Sequence, residues 1–169
     1  MVDAPALKPA PRLAFWLERP HLPACEIAAL SGYGMVLVDM EHGAIGAEAL
    51  DGLVAACKGL GLLTYVRVAA ADRVAVQQAL DFGADGVVVP MIRDAAHAAE
   101  AAAFAKYPPL GSRGAGYSRA MRYGFAAGDH YEAANRATAC HLMIETPGAL
   151  RDVAAICALP TVDGVFIGP

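Results

Sequence analysis

Apolar residues follow two alternating rhythms along this chain. Short unbroken runs alternate with stretches in which they recur every three or four positions. The runs predict strands at Arg12 to Leu17, Gly34 to Asp39, Leu62 to Val68, Gly86 to Pro90, Cys140 to Glu145 and Val162 to Ile167. Such runs are apolar on both faces and need helices to cover them, as in a parallel sheet. The intervening stretches supply those helices. Pro23 to Leu30 is closed by Ser31-Gly32, and Leu50, Leu53, Val54 and Cys57 fall on one helical face that Gly59 to Gly61 ends. Asp72 caps a helix carrying Val76, Ala79 and Leu80 that stops at Gly83, and Asp94 caps an alanine-rich helix that stops before Pro108-Pro109. Thr146-Pro147 opens a last helix lined by Leu150, Val153, Ala154 and Cys157.

Residues 1–11 carry three prolines and read as a tail, leaving 12–169 as a single domain. Three strands begin alike, at Gly34, Gly86 and Gly164, and an insertion from Lys106 to Tyr131 with no strong period lengthens the second interval. Repeated βα units predict an α/β fold with a parallel sheet and right-handed crossovers. A doubly wound dinucleotide fold needs G-x-G-x-x-G after its first strand, and neither Gly59-Leu-Gly61 nor Gly114-Ala-Gly116 has that setting. Polar residues at several strand ends favour a β/α barrel instead. Only six strands are found where a closed barrel has eight, so the barrel is expected to be truncated or partial.

The 57% hydrophobic content against 18% charged residues points to a deep interior or a large subunit interface. A formal charge of −4 without any Lys/Arg run argues against a nucleic-acid or anionic-membrane partner. Cys25, Cys57, Cys140 and Cys157 form no CxxC pair and read as reduced core thiols of a cytoplasmic protein. No apolar run approaches the ~20 residues of a membrane span.

Chemistry concentrates where strands surface. Asp39, Glu41 and His42 follow the second strand, Arg67 ends the third, Glu145 ends the fifth, and Gly168-Pro169 follows the sixth. A carboxylate can hold a hard cation, a guanidinium an oxyanion, and an imidazole can move a proton near neutral pH. Asp39 and Glu41 either position His42 or bind water on a cation. Arg113 either shapes its glycine-rich loop or holds a substrate carboxylate. His21, His97, His130 and His141 read as surface or capping residues.

Four segments, Val38-Asp-Met-Glu-His-Gly43, Tyr107-Pro-Pro-Leu-Gly-Ser-Arg-Gly114, Met143-Ile-Glu-Thr146 and Val162-Asp-Gly-Val-Phe-Ile-Gly-Pro169, resemble in unchanged order the signatures of the HpcH/HpaI aldolase family. The resemblance implies a (β/α)8 TIM barrel of the phosphoenolpyruvate/pyruvate-binding type. It implies a class II aldolase that cleaves 4-hydroxy-2-oxo acids to pyruvate and an aldehyde through a metal-stabilised pyruvate enolate. Glu145 would be a ligand for Mg²⁺ or Mn²⁺, Arg67 would hold the enolate oxygen, and His42 would be the general acid/base. Met143, Gly168 and Pro169 would face the substrate. In the family Gly168-Pro169 is followed by an alanine and an aspartate, the second metal ligand, expected just beyond Pro169. Asp81 matches the aspartate that partners the histidine. Because it closes a helix on the opposite face, it is expected to reach His42 of a neighbouring subunit in a homo-oligomer, a trimer or hexamer. Met143 stands where many relatives have glutamine, which bears on substrate identity. Two rival readings are a thioester lyase of the citrate-lyase type and a non-catalytic truncated barrel subunit.

Overall fold

The computed structural model describes residues 13–125, 128 and 130–169. The tail expected at 1–11 lies outside them. Six parallel strands, β1 (Ala14–Leu17), β2 (Met35–Asp39), β3 (Leu63–Arg67), β4 (Gly86–Val89), β5 (Ala139–Ile144) and β6 (Gly164–Ile167), pair strictly in chain order. A doubly wound sheet reverses direction at a switch point, and this one never does. The result is a curled, six-stranded part of a barrel.

Register sorts the side chains into two sets. Leu37, Val88 and Met143 form an inner cluster with Tyr65 and Phe166, and Trp16 joins that face opposite Leu37, its ring 5.9 Å from Phe166. The alternate residues, including Val36, Val38, Val66, Val87, Val89, Cys140 and Leu142, face outward into the larger core under the helices. Inner glycines make room for rings at the amino-terminal end. Tyr65 stacks on His141 at 5.4 Å, and a Cβ on Gly86 or Gly164 would lie 2.9 Å from the Tyr65 ring or 2.5 Å from His141 Cδ2.

The helices are α1 (Leu22–Leu30), α2 (Ala47–Gly59), α3 (Arg73–Asp81), α4 (Ala95–Ala103), α5 (His130–Ala137), α6 (Pro147–Arg151) and α7 (Val153–Cys157). Asp72, Asp94 and Thr146 cap α3, α4 and α6 through backbone N–H groups three residues on. His21 caps α1 in the same way.

Four readings of the sequence need correction. A helix absent from the reading of the sequence, α5, begins where the insertion ends, and its carboxyl end is held by a buried Lys106 donating to Asn135 O, Thr138 O and Asp163. The last predicted helix is two, because Asp152 leaves the helical path and accepts a hydrogen bond from Ala95 N of α4 at 3.0 Å. Ala149 and Ile156 are its buried residues, while Leu150 is exposed. Cys157 is exposed too, unlike the three other thiols, and His97 is buried with Nδ1 accepting from Arg93 N.

Candidate active site at the strand ends

Strand register alone places Asp39 of β2 beside Arg67 of β3, both inward. The aspartate is fully buried. Arg67 Nε and Nη2 donate to its two oxygens at 2.9 and 2.6 Å, a fork-on-fork pair. Asp39 Oδ1 also accepts from the backbone N–H groups of Glu41 and His42, at 3.0 and 3.2 Å, which folds the chain back over the strand end. Burial alone would raise the Asp39 carboxyl. The hydrogen bonds from Arg67, His42 and Glu41 outweigh it and hold the group below the usual carboxylate range.

Arg67 is fixed from every side. Glu41 lies 3.3 Å from Nη1, and the guanidinium sits over the Trp16 ring at 4.9 Å. The hydrogen bond to Asp39, with the charges of Asp39, Glu41 and Glu145, raises its pKa against the cost of burial. His42 stands at the exposed rim, its Nε2 4.0 Å from Glu41.

Glu145 follows β5 at the same end of the sheet. Its Oε1 accepts from Met91 N at 2.5 Å, and its Oε2 has no hydrogen-bond donor among the described residues. Oε2 faces Gly168, where an added Cβ would be 3.0 Å away. Met143 forms the buried apolar floor beneath this oxygen. Three carboxylates against one guanidinium suit a cation. Glu145 offers one free oxygen of the hard kind that Mg²⁺ or Mn²⁺ takes. Among the described residues no set of three His, Cys, Asp or Glu side chains is arranged around a metal, so the donors present form one side of a site.

Asp39, Glu41, His42, Arg67, Glu145, Met143 and Gly168 thus share one end. Asp81 does not. It closes α3 ahead of β4 and accepts from Arg113 Nη2 at 2.6 Å, with the Arg113 guanidinium 4.5 Å over the Tyr107 ring. Arg113 therefore braces its own loop. Two contributors escaped the reading of the sequence. Trp16 could have been found from its alternation on β1, but Met91 acts through a main-chain N–H and leaves no trace in residue type.

A barrel order, four ordered motifs and this cluster at the carboxyl ends of the strands all point one way, and the comparison with known proteins decides it. Residues 12–169 match the family model described as HpcH/HpaI aldolase/citrate lyase. The chain belongs to that family. Among curated relatives, the chain is 40% identical over 158 residues to 2-dehydro-3,6-dideoxy-6-sulfogluconate aldolase of Pseudomonas putida, covering 93% of this chain and 62% of that protein. It is 37% identical over 170 residues to 4-hydroxy-2-oxovalerate aldolase of Novosphingobium aromaticivorans, covering 97% and 63%. A crystal structure of an HpcH/HpaI aldolase/citrate lyase family protein from Burkholderia cenocepacia J2315 superposes with a TM-score of 0.85 at 32% identity, over 92% of this chain and 63% of that one. The chain spans about three fifths of the length of the curated relatives it matches.

Proposed function

We propose that this HpcH/HpaI family member is a divalent-cation-dependent carbon–carbon lyase on a phosphoenolpyruvate/pyruvate-type (β/α)8 barrel, splitting 4-hydroxy-2-oxo acids into pyruvate and an aldehyde. The observation that carries this is a guanidinium held rigid beside an unpaired carboxylate oxygen at one barrel mouth. Glu145 would hold Mg²⁺ or Mn²⁺ through Oε2, and the bound cation would supply a Lewis acid for the 2-oxo acid.

The chain's own residues do the rest. Two N–H groups of Arg67 donate to Asp39, Nη1 lies in an ion pair 3.3 Å from Glu41, and the N–H groups not donated to Asp39 are left for the substrate oxygen that gains charge when the C3–C4 bond breaks. Because Asp39 holds the guanidinium in place beforehand, little reorganisation is needed as that charge develops. His42, exposed at the rim beside Glu41, takes the proton from the 4-hydroxyl. The apolar floor of Met143, Leu37, Val88 and Phe166 excludes water beneath the reacting carbons. Gly168 and Pro169 border the substrate next to Glu145. Asp81 of a neighbouring subunit orients His42, and the homo-oligomer completes the site.

Pyruvate alone tests the core of this reading. In deuterated water with saturating Mg²⁺, the methyl protons should exchange, followed by proton NMR. Arg67→Met and His42→Ala should each suppress exchange by at least tenfold. A folded, metal-saturated protein that exchanges nothing refutes the aldolase reading. Mixing His42→Ala with Asp81→Ala subunits should restore exchange if the pair spans subunits; no restoration places both groups in separate roles.

A further inference from the structure

Met91 has a left-handed backbone, φ +55°, which a side chain larger than glycine's rarely adopts. Its side chain is exposed and belongs to neither buried cluster, so packing does not explain the conformation. The main chain does. Met91 N–H reaches Glu145 Oε1, and one residue later Ile92 is fully buried, its carbonyl accepting from Thr146 Oγ1 at 2.7 Å. The turn at Met91 lets one N–H face the mouth while the next side chain enters the core. Residues held in sparse backbone regions persist where the surroundings fix them, and they cluster at functional sites.

The two oxygens of Glu145 are therefore unequal. Oε1 is occupied by a charge-assisted hydrogen bond, and Oε2 is kept clear by the absent side chain of Gly168. We propose that Met91 is a positioning residue that makes Glu145 a one-oxygen cation ligand, presenting Oε2 alone to the mouth. The consequence is stoichiometric. A carboxylate that chelates through both oxygens would use two coordination positions of a cation, whereas a one-oxygen ligand would leave one more open to the 2-oxo acid. This inference rests on the cation reading of Glu145 given above.

Backbone NMR of the protein, with Mg²⁺ and Mn²⁺ as the probes, tests it. In metal-free protein the Met91 amide proton should lie at low field and exchange slowly, and Glu145→Gln should move it upfield. Saturating Mg²⁺ should shift Gly168 and leave the Met91 hydrogen bond in place. Met91→Pro removes the N–H and, because the proline ring cannot adopt φ +55°, also the turn that presents it; it should weaken Mn²⁺ binding by about tenfold or more, the usual size of an outer-shell loss, in a protein whose thermal melt remains cooperative. Met91→Gly keeps the N–H and the turn without the strain and should bind Mn²⁺ within about threefold of wild type, which shows that the main chain and not the methionine side chain carries the effect. Release of the Met91 amide on adding Mg²⁺ would show that both oxygens chelate, and would overturn the proposal. So would unchanged Mn²⁺ affinity in Met91→Pro. A failure of the cation reading looks different: Mg²⁺ would move neither Glu145 nor Gly168 while the Met91 bond stayed intact, and the role assigned to that bond would fall with it.

Discussion

Replacing Asp39 by asparagine should destabilise the protein far more than its single lost charge suggests. Each partner of the two Asp39 oxygens is a donor: Arg67 Nε, Arg67 Nη2, and the N–H groups of Glu41 and His42. An asparagine NH₂ must face one of them, and Arg67 loses its main counter-charge inside the protein. Removing one partner of a buried ion pair costs ~3–5 kcal/mol. Arg67 keeps Glu41 at 3.3 Å and is 9% exposed, so the lower end, ~3 kcal/mol, applies here. At ~2–4 °C per kcal/mol for a chain of this size, Tm should fall by ~6–12 °C.

Circular dichroism melts at pH 7.5 of Asp39→Asn, Arg67→Met and the double variant close a thermodynamic cycle. The double variant should recover part of the loss, because an apolar side chain leaves no buried charge unpaired. Glu132→Ala breaks the exposed pair with Arg136 and is the internal control; such pairs contribute less than ~0.5 kcal/mol. A Tm for Asp39→Asn within ~2 °C of wild type, or a coupling below ~1 kcal/mol, refutes the argument that this pair holds the barrel mouth together.

Gly164→Ala should lower stability by ~1–3 kcal/mol through crowding against His141, and His141→Ala in the same chain should recover most of it in a urea titration. Mild acid should weaken the fold through its buried imidazoles. Burial pushes the His97, His130 and His141 imidazoles below the ordinary value, so between the two values the unfolded chain binds more protons than the folded one. The stabilisation is complete above about pH 6.5 and is lost as pH falls through the lowered values. For His141, Asp163 opposes this shift and Lys106 reinforces it; His141→Phe should keep the stack on Tyr65 and flatten the decline in Tm between pH 7 and pH 5. Thiol accessibility gives a further check. The Cys57 and Cys140 thiols are pushed up to about 12 by burial, and Cys25 is raised by the same cause. Cys157 alone should react quickly with an aromatic disulfide at pH 8, the buried three only on unfolding, as read by absorbance.

Local chemistry determined the βα rhythm of this chain, because each element is specified by residues within a few positions of one another. The runs from Met35, Gly86 and Gly164, the caps at Asp72, Asp94 and Thr146, and the polar residues where strands surface were all legible for that reason. What required the tertiary structure is what depends on a distant partner. Asp152 breaks a helix to reach Ala95, Lys106 holds the end of α5, and Arg113 turns to Asp81. The mouth itself is of this kind: strand register joins Asp39 to Arg67, and Met91 reaches Glu145 from 54 residues away. Residue type records which groups can carry charge or donate a hydrogen bond, whereas only the packing of the sheet decides which oxygen is tied down and which is left free.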